Sequence, residues 1–444
     1  MNLNRSGWFI KYLEFRQEQP LNPLLPSTGI RVVESPGIHN DIDQAVYYFL
    51  QPTGLLYACP ISYPFPDLSY PGHRYFDSLA RAQVIFVDSL FACLVADRHF
   101  LLEGLLNEED HLGPAVRSAL GYFLAVPRQG SVPGLGQLSS LLRLRWGEGE
   151  PQYRFEREIK QRLTHGMDMF GRRDLFYNSF LFLDLYYCLR WQRHTIFEPD
   201  PDPVALRELL AEQELVQEAL LKLLIAAAKP SGGSTAPEGR LVRMLLQSTR
   251  LPPGKLSELR KLLVQGLELD QIELPVMPWL VRRYFLELVL VTLMIDGEVS
   301  SQERELLTIL VERLDLWQEE MDQSMTAVEV FLLSQADKLH LNHRRPLTLG
   351  LGEHLREQAT LALKKNWDRI FTEIRETQEL YALLLKATRE PLTREEKRRV
   401  NAQLMDILKT VPALAIFALP GGGVALPILI RLLPFRILPS SFDD

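Results

Sequence analysis

The sequence predicts an all-α protein with a Pro/Gly-punctuated apolar C-terminal segment. Three observations carry this. Apolar residues recur at three-and-four spacing over most of the chain, strand-like alternation is scarce, and clusters of proline, glycine and serine separate the periodic stretches. At 444 residues the chain is past the size at which one hydrophobic core stops growing, so two or three folding units are expected. Its 46% hydrophobic and 24% charged residues match an ordinary globular protein. A mean hydropathy of -0.05 leaves room for one or two membrane-crossing segments and excludes a multi-span protein.

Residues 1–75 are rich in proline and aromatics and read as an irregular cap with short helical pieces, opening an N-terminal helical domain over 1–198. The start, MNLNRSGWFIKYLEF, lacks the apolar run of a secretory signal, so the body is expected in the cytoplasm. From Asp77 to Ala125, Leu79, Ile85, Phe86, Leu90, Cys93 and Leu94 carry helical periodicity. GSVPGLGQL (130–138) contains a GxG pair but no preceding strand and no third glycine, so it reads as a loop and not a dinucleotide site. FYNSFLFLDLYYCLRW, apolar almost all round with Asp184 inside, predicts a buried helix within a block from Gln152 to Gln192.

EPDPDP (198–203) cannot continue a helix and marks a boundary, followed by connecting helices over 204–270 that begin with a long amphipathic helix from Val204 to Lys229. KPSGGSTAPEG closes that helix; it has glycines but no GK[ST], which points to an exposed loop over a phosphate cradle.

Between Tyr284 and Leu316 an apolar helix runs into Asp296-Gly297, and Ser300 with Glu303 forms a capping box that starts the next helix. This hairpin resembles the TerB-like helical domains, which places such a domain at 271–345. The resemblance implies Asp296, Glu298 and Glu303 as metal contacts; turn-and-cap chemistry is the competing reading. As a calcium loop the stretch fails, with Leu307 at position 12 and Ser301 at position 6. His340 and His343 lack acidic or cysteine partners nearby and read as surface residues. Connecting helices fill 346–390, with Lys364 to Lys386 the clearest as one amphipathic helix.

Composition and motifs exclude several functions. The net charge of -7 leaves no chain-wide basic surface for a phosphate backbone, so DNA is not an expected partner. Cys59, Cys93 and Cys188 are far apart and odd in number, matching neither a zinc site nor a disulfide framework. Glu108 and His111 give a single ExxH, where a di-iron bundle needs two, and no nucleophile elbow, Walker loop or HExxH occurs. No catalytic residue and no cofactor are expected.

The final region, 391–444, is the most distinctive. Thr393 and Glu396 form a second capping box at the head of a basic helix bearing Arg394, Lys397, Arg398, Arg399 and Lys409. Val411 to Ile430 then gives twenty residues without a charge. As a helix rising 1.5 Å per residue, that length just crosses a hydrocarbon core of about 30 Å. The basic residues precede it, which orients the soluble body to the cytoplasm. Pro412, Pro420, Pro427 and Pro434, eight, seven and seven residues apart, fall near one helix face, and Gly421, Gly422 and Gly423 follow the second of them. Freed backbone groups in lipid need neighbouring helices, so a span of this kind implies self-association or a partner. The alternatives are a re-entrant insertion, or an apolar hairpin packed on the protein's own helices.

LTREEKRR, the helix, KTVP, the proline-punctuated apolar run and the closing RLLPFRILPSSF with Pro439 together resemble the Letm family over Glu390 to Phe442. The resemblance implies an inner-membrane protein linked to potassium/proton or calcium/proton exchange and to ribosome–membrane contact, here as a bacterial relative. It implies membrane lipid, the ribosome and further copies of the chain as partners. The family's membrane segment carries an acidic residue between its second and third prolines, where this chain has Gly421 to Leu426 and no ionisable group. In the family a soluble ribosome-contacting domain follows this segment; with the chain stopping at Asp444 that domain is expected to be missing here, and no EF-hand loop is present. Two functions are expected from this: a membrane-associated, non-catalytic Letm-like protein in cation/proton homeostasis or ribosome–membrane contact, or a helical scaffold binding anionic lipid, ribosome or protein without ion transport.

Overall fold

The computed structural model describes residues 3, 6–19, 43, 46–47, 50–59, 76–98, 114–125, 134–135, 137–138, 151–165, 178, 180–195, 202–228, 237–295, 299–334, 367–389 and 393–410. Among these the protein is all-α, with no strand. The chain divides into two compact units, one of residues 1–25, 39–295 and 299–315, the other of 26–38, 296–298 and 316–444.

The first unit holds α1 (Trp8–Glu18), α2 (Ser78–Arg98), α3 (Pro114–Ala125), α4 (Pro151–Thr164), α5 (Leu181–Thr195), α6 (Pro203–Ala227), α7 (Pro237–Ser248), α8 (Pro253–Gln265), α9 (Trp279–Met294) and α10 (Ser301–Arg313). Proline opens α3, α4, α6, α7 and α8, where the missing N–H is one the helix leaves unbonded anyway. Among the described residues of the first 75 are α1, the helical residues 43, 46–47 and 50, and the 3-10 turns Gln51–Thr53 and Leu55–Tyr57. Gly134 begins a single tight turn, with Gln137 and Leu138 donating to its carbonyl. Leu135, Gln137 and Leu138 are helical, so the described end of this stretch opens a helix, and residues 130–133 lie outside the described residues.

Two layers of packing meet in this unit. α3 and α5 lie against each other and against α4 and α2, while α6 contacts α5, α7, α8 and α9. α9 is buried along nearly its whole length, from Trp279 to Met294, because its sequence is apolar all round. It carries two charges inward, Arg283 and Glu287. Tyr47 resolves both: its hydroxyl donates to the Glu287 carboxylate and accepts from Arg283 Nη2 at 2.8 Å and from Gln51 Nε2 at 2.9 Å. Burial pushes the Tyr47 phenol well above its ordinary pKa, so it stays a donor. In this way the irregular N-terminal stretch is fixed onto α9.

The same rule repeats elsewhere, since a buried charge is tolerable only when paired. Arg16 on α1 grips Asp88 on α2 through two bonds, Nε to Oδ1 at 2.9 Å and Nη2 to Oδ2 at 2.8 Å, and Tyr12 adds a third at 2.8 Å. Glu156 on α4 accepts from the backbone N–H groups of Gly7 at 3.0 Å and Phe9 at 2.8 Å, capping α1 from another helix. Arg162 on α4 is fully buried and reaches Asp184 on α5 at 2.8 Å, Glu158 at 3.2 Å and the Phe123 carbonyl of α3 at 2.8 Å. Gln213 on α6 closes the set, donating to Asp184 at 3.0 Å and accepting from Tyr122 at 2.8 Å. Burial would depress the Arg162 guanidinium, but Asp184 and then Glu158 outweigh it and raise its pKa. Arg250, buried beside the same cluster and facing Arg162, is pushed down to about 10.

In the second unit, α11 (Gln318–Ser334), α12 (Trp367–Glu376), α13 (Gln378–Arg389) and α14 (Arg394–Thr410) are described. The helix expected from Lys364 to Lys386 is two helices meeting at Thr377. Its hydroxyl bonds back to the Glu373 carbonyl at 2.9 Å, where the backbone N–H of Thr377 also donates at 3.1 Å. Both the Thr377 N–H and, through the Tyr381 N–H at 3.0 Å, the Thr377 carbonyl keep helical bonds across the junction.

Asp184→Ala is expected to destabilise the protein by about 3–5 kcal/mol, because it strands the Arg162 charge inside. Lys222→Ala, which opens the half-exposed Lys222–Glu218 pair, is expected to cost under about 1 kcal/mol. Denaturant unfolding of the two variants beside the parent checks the difference.

Candidate functional site

The site is α14 and the chain it delivers. α12, α13 and α14 contact one another, and their buried residues show which faces meet: Ile370 and Ile374, Leu380, and Val400, Leu404 and Ile407. The spacing of the last three, four and then three, is one helical stripe. Packing that stripe inward obliges Arg394, Glu395, Arg398, Arg399 and Ala402 to face outward, and these five line a shallow open depression.

The head of α14 is fixed by reciprocal capping, as the sequence predicts. The Thr393 N–H donates to Glu396 Oε2 at 2.8 Å, and the Glu396 N–H donates to Thr393 Oγ1 at 3.3 Å. The other Glu396 oxygen accepts from Lys386 Nζ on α13 at 2.7 Å. One carboxylate therefore caps its own helix and ties it to the neighbouring one. The hydrogen bond from Lys386, then those from Thr393, hold the Glu396 carboxyl down to about 2.

Arg399 is also engaged. It bonds Glu379 on α13 at 3.2 Å and Glu395 at 3.3 Å, and Glu379 accepts from Gln403 at 2.8 Å through its second oxygen. Glu379 first, then Glu395, raises the Arg399 pKa. Arg394 and Arg398 differ: both are exposed, and among the described residues neither has a hydrogen bond or an acidic partner. A like-charged pair four residues apart costs a helix about 0.2–0.5 kcal/mol. Arg394 also sits at the first helical position, the positive end of the helix dipole. Lys397 and Lys409 lie on the same helix, with side chains outside those described.

Pro412, Pro420, Gly421, Gly422, Gly423, Pro427, Pro434 and Pro439 lie outside the described residues. Among those described, no helix is long and apolar enough to cross a membrane. Asp296 and Glu298 are likewise outside, as are Glu108, His111, His340 and His343. Glu303 is buried and its carboxylate accepts the Ser300 N–H at 2.7 Å while Ser300 Oγ accepts the Glu303 N–H at 3.3 Å, so it serves the capping box. No group of three or more His, Cys, Asp or Glu placed to hold a metal occurs among the described residues. The three cysteines are buried.

Sequence reasoning found the five basic residues but not how they divide. The Glu395–Arg399 pair is legible as a four-residue spacing; Glu379 and Lys386 come from α13, and only the tertiary arrangement shows that they meet α14.

This geometry defines a helical protein with a capped, amphipathic basic helix leading directly into an apolar run. Residues 392–444 match the family model described as LETM1-like, RBD, which relates this segment to the Letm family. The matched stretch contains α14 and all of the proline-punctuated continuation. No curated protein and no solved structure matches the chain.

Because the Glu396 pKa is depressed, its contribution is present above the ordinary carboxylate range and is lost as pH falls from about 4.5 toward about 2. Protection of the amides in the first turn of α14, taken relative to the intrinsic exchange rate at each pH, is expected to fall across that window. In Glu396→Gln the same turn should exchange faster at neutral pH and lose the acid transition.

Proposed function

We propose that the protein is a membrane-associated, non-catalytic member of the Letm type, whose helical body stays on the cytoplasmic face of an inner membrane and whose C-terminal segment inserts there. The observation that carries this is the Letm-like match over 392–444, which includes the uncharged run from Val411 to Ile430. The buried stripe of α14 supports it: Val400, Leu404 and Ile407 hold the helix on α12 and α13, so the apolar run follows a helix packed within the second unit. Its role is in cation/proton homeostasis or in contact between ribosome and membrane, and the prolines and glycines call for neighbouring helices, hence assembly with further copies.

A second reading has its own observation. Gly421 to Leu426 place no ionisable group where protons and cations are ordinarily carried. That favours a helical scaffold which contacts lipid, ribosome or protein without moving ions.

Membranes carrying the full chain, beside a truncation ending at Thr410, are washed with carbonate and with high salt. The full chain is expected to resist both washes and the truncation to be released. A full chain that is soluble, or that salt alone removes, overturns insertion. For the choice between the readings, reconstituted full-length protein is expected to leave potassium and calcium gradients unchanged if it is a scaffold, and to dissipate them against a proton gradient if it is an exchanger.

A further inference from the structure

Resting on the membrane reading above, we propose that Arg394 and Arg398 form a docking surface for the phosphodiester headgroups of anionic lipid, and that the other described basic residues around α14 do not. Three facts on the same helix lead there. Arg399 is held by Glu379 and Glu395, and Lys386 by Glu396, so their charges are met within the unit. Arg394 and Arg398 are one turn apart, exposed, and without an acidic partner among the described residues. Ala402, a further turn along, leaves the face low beside them, so a flat surface can approach both guanidinium groups together.

Guanidinium is suited to phosphate because its donors form a planar fork that meets two oxygens at once. A surface of lipid phosphates fits better than an isolated anion, because the two arginines open onto a shallow depression and not an enclosed pocket. Distance sets the orientation. Arg398 stands twelve residues before Thr410, about 18 Å along a helix, and a charge held that far from a membrane is screened at a Debye length of about 8 Å. The pair meets headgroups only if α14 lies along the surface. Pro412 is consistent with that, since it disfavours helical backbone at Val411 and so does not force the apolar run to be coaxial with α14. The face that would lie on the lipid is the one opposite Val400, Leu404 and Ile407.

Full-length protein in detergent is added to vesicles of phosphatidylcholine alone and of phosphatidylcholine with phosphatidylglycerol, and bound protein is measured by flotation. The parent is expected to favour the anionic vesicles, and R394Q/R398Q to lose roughly tenfold to thirtyfold of that preference while still floating with both. R398Q should lose more than R399Q, and R394K/R398K, which keeps the charge but not the fork, should fall between the parent and R394Q/R398Q. A dye placed at A402C, the native cysteines being buried, should report headgroup contact in the parent background and lose it in R394Q/R398Q. If R398Q and R399Q lose the preference equally, the attraction is diffuse charge and the assigned pair is wrong. If all variants bind both vesicles alike, the lipid assignment is overturned, and loss of ribosome or protein-partner binding in R394Q/R398Q relative to the parent would show what the arginines face instead. If the parent floats with neither vesicle, the membrane reading itself fails, and this inference with it.

Discussion

The contact between Arg162 and Asp184 sets the terms for the larger unit. A guanidinium taken out of water must be met by an opposite charge and by acceptors for its remaining donors. Meeting that requirement brings together Asp184 from α5, Glu158 from its own helix, the Phe123 carbonyl from α3 and, through Asp184, Gln213 from α6. Apolar burial would permit several arrangements of these helices against one another. The polar cluster permits few, because a shift of one turn in any of them leaves a charge alone inside.

The same requirement, satisfied at a different depth, organises α14. Its apolar stripe is buried, and the charges nearest the neighbouring helix are answered by that helix: Glu396 by Lys386, Arg399 by Glu379. Those pairs are half-exposed or exposed and add little stability each. Their value is in register, since they fix which turn of α14 stands beside which turn of α13. Once they are satisfied, the charge left over is localised. Among the described side chains of α14, Arg394 and Arg398 are the basic positions without an acidic partner.

How much of this was readable in advance depends on the range of the interaction. Helix identity was legible in the periodicity, and the capping boxes at Ser300–Glu303 and Thr393–Glu396 were legible because both partners lie within four residues. The buried helix around Asp184 was legible as well, although nothing in the sequence says that Arg162 is its partner. The break at Thr377 was not, because a threonine inside an amphipathic pattern is compatible with an unbroken helix. For the site, the Letm-like segment and its five basic residues were visible in sequence order. Their division into answered and unanswered charges was not, because Glu379 lies twenty residues before Arg399 and Lys386 ten before Glu396.

The same contacts hold α14 within its three-helix group. α14 is held at its head by the shared carboxylate of Glu396 and through its middle by Val400, Leu404 and Ile407. Pro412 stands two residues beyond the last residue of α14, where it removes a backbone donor and discourages helix at the residue before it. Head and middle of α14 are thus held by two different kinds of contact, one a set of hydrogen bonds that protonation of Glu396 removes and one an apolar stripe that it does not touch.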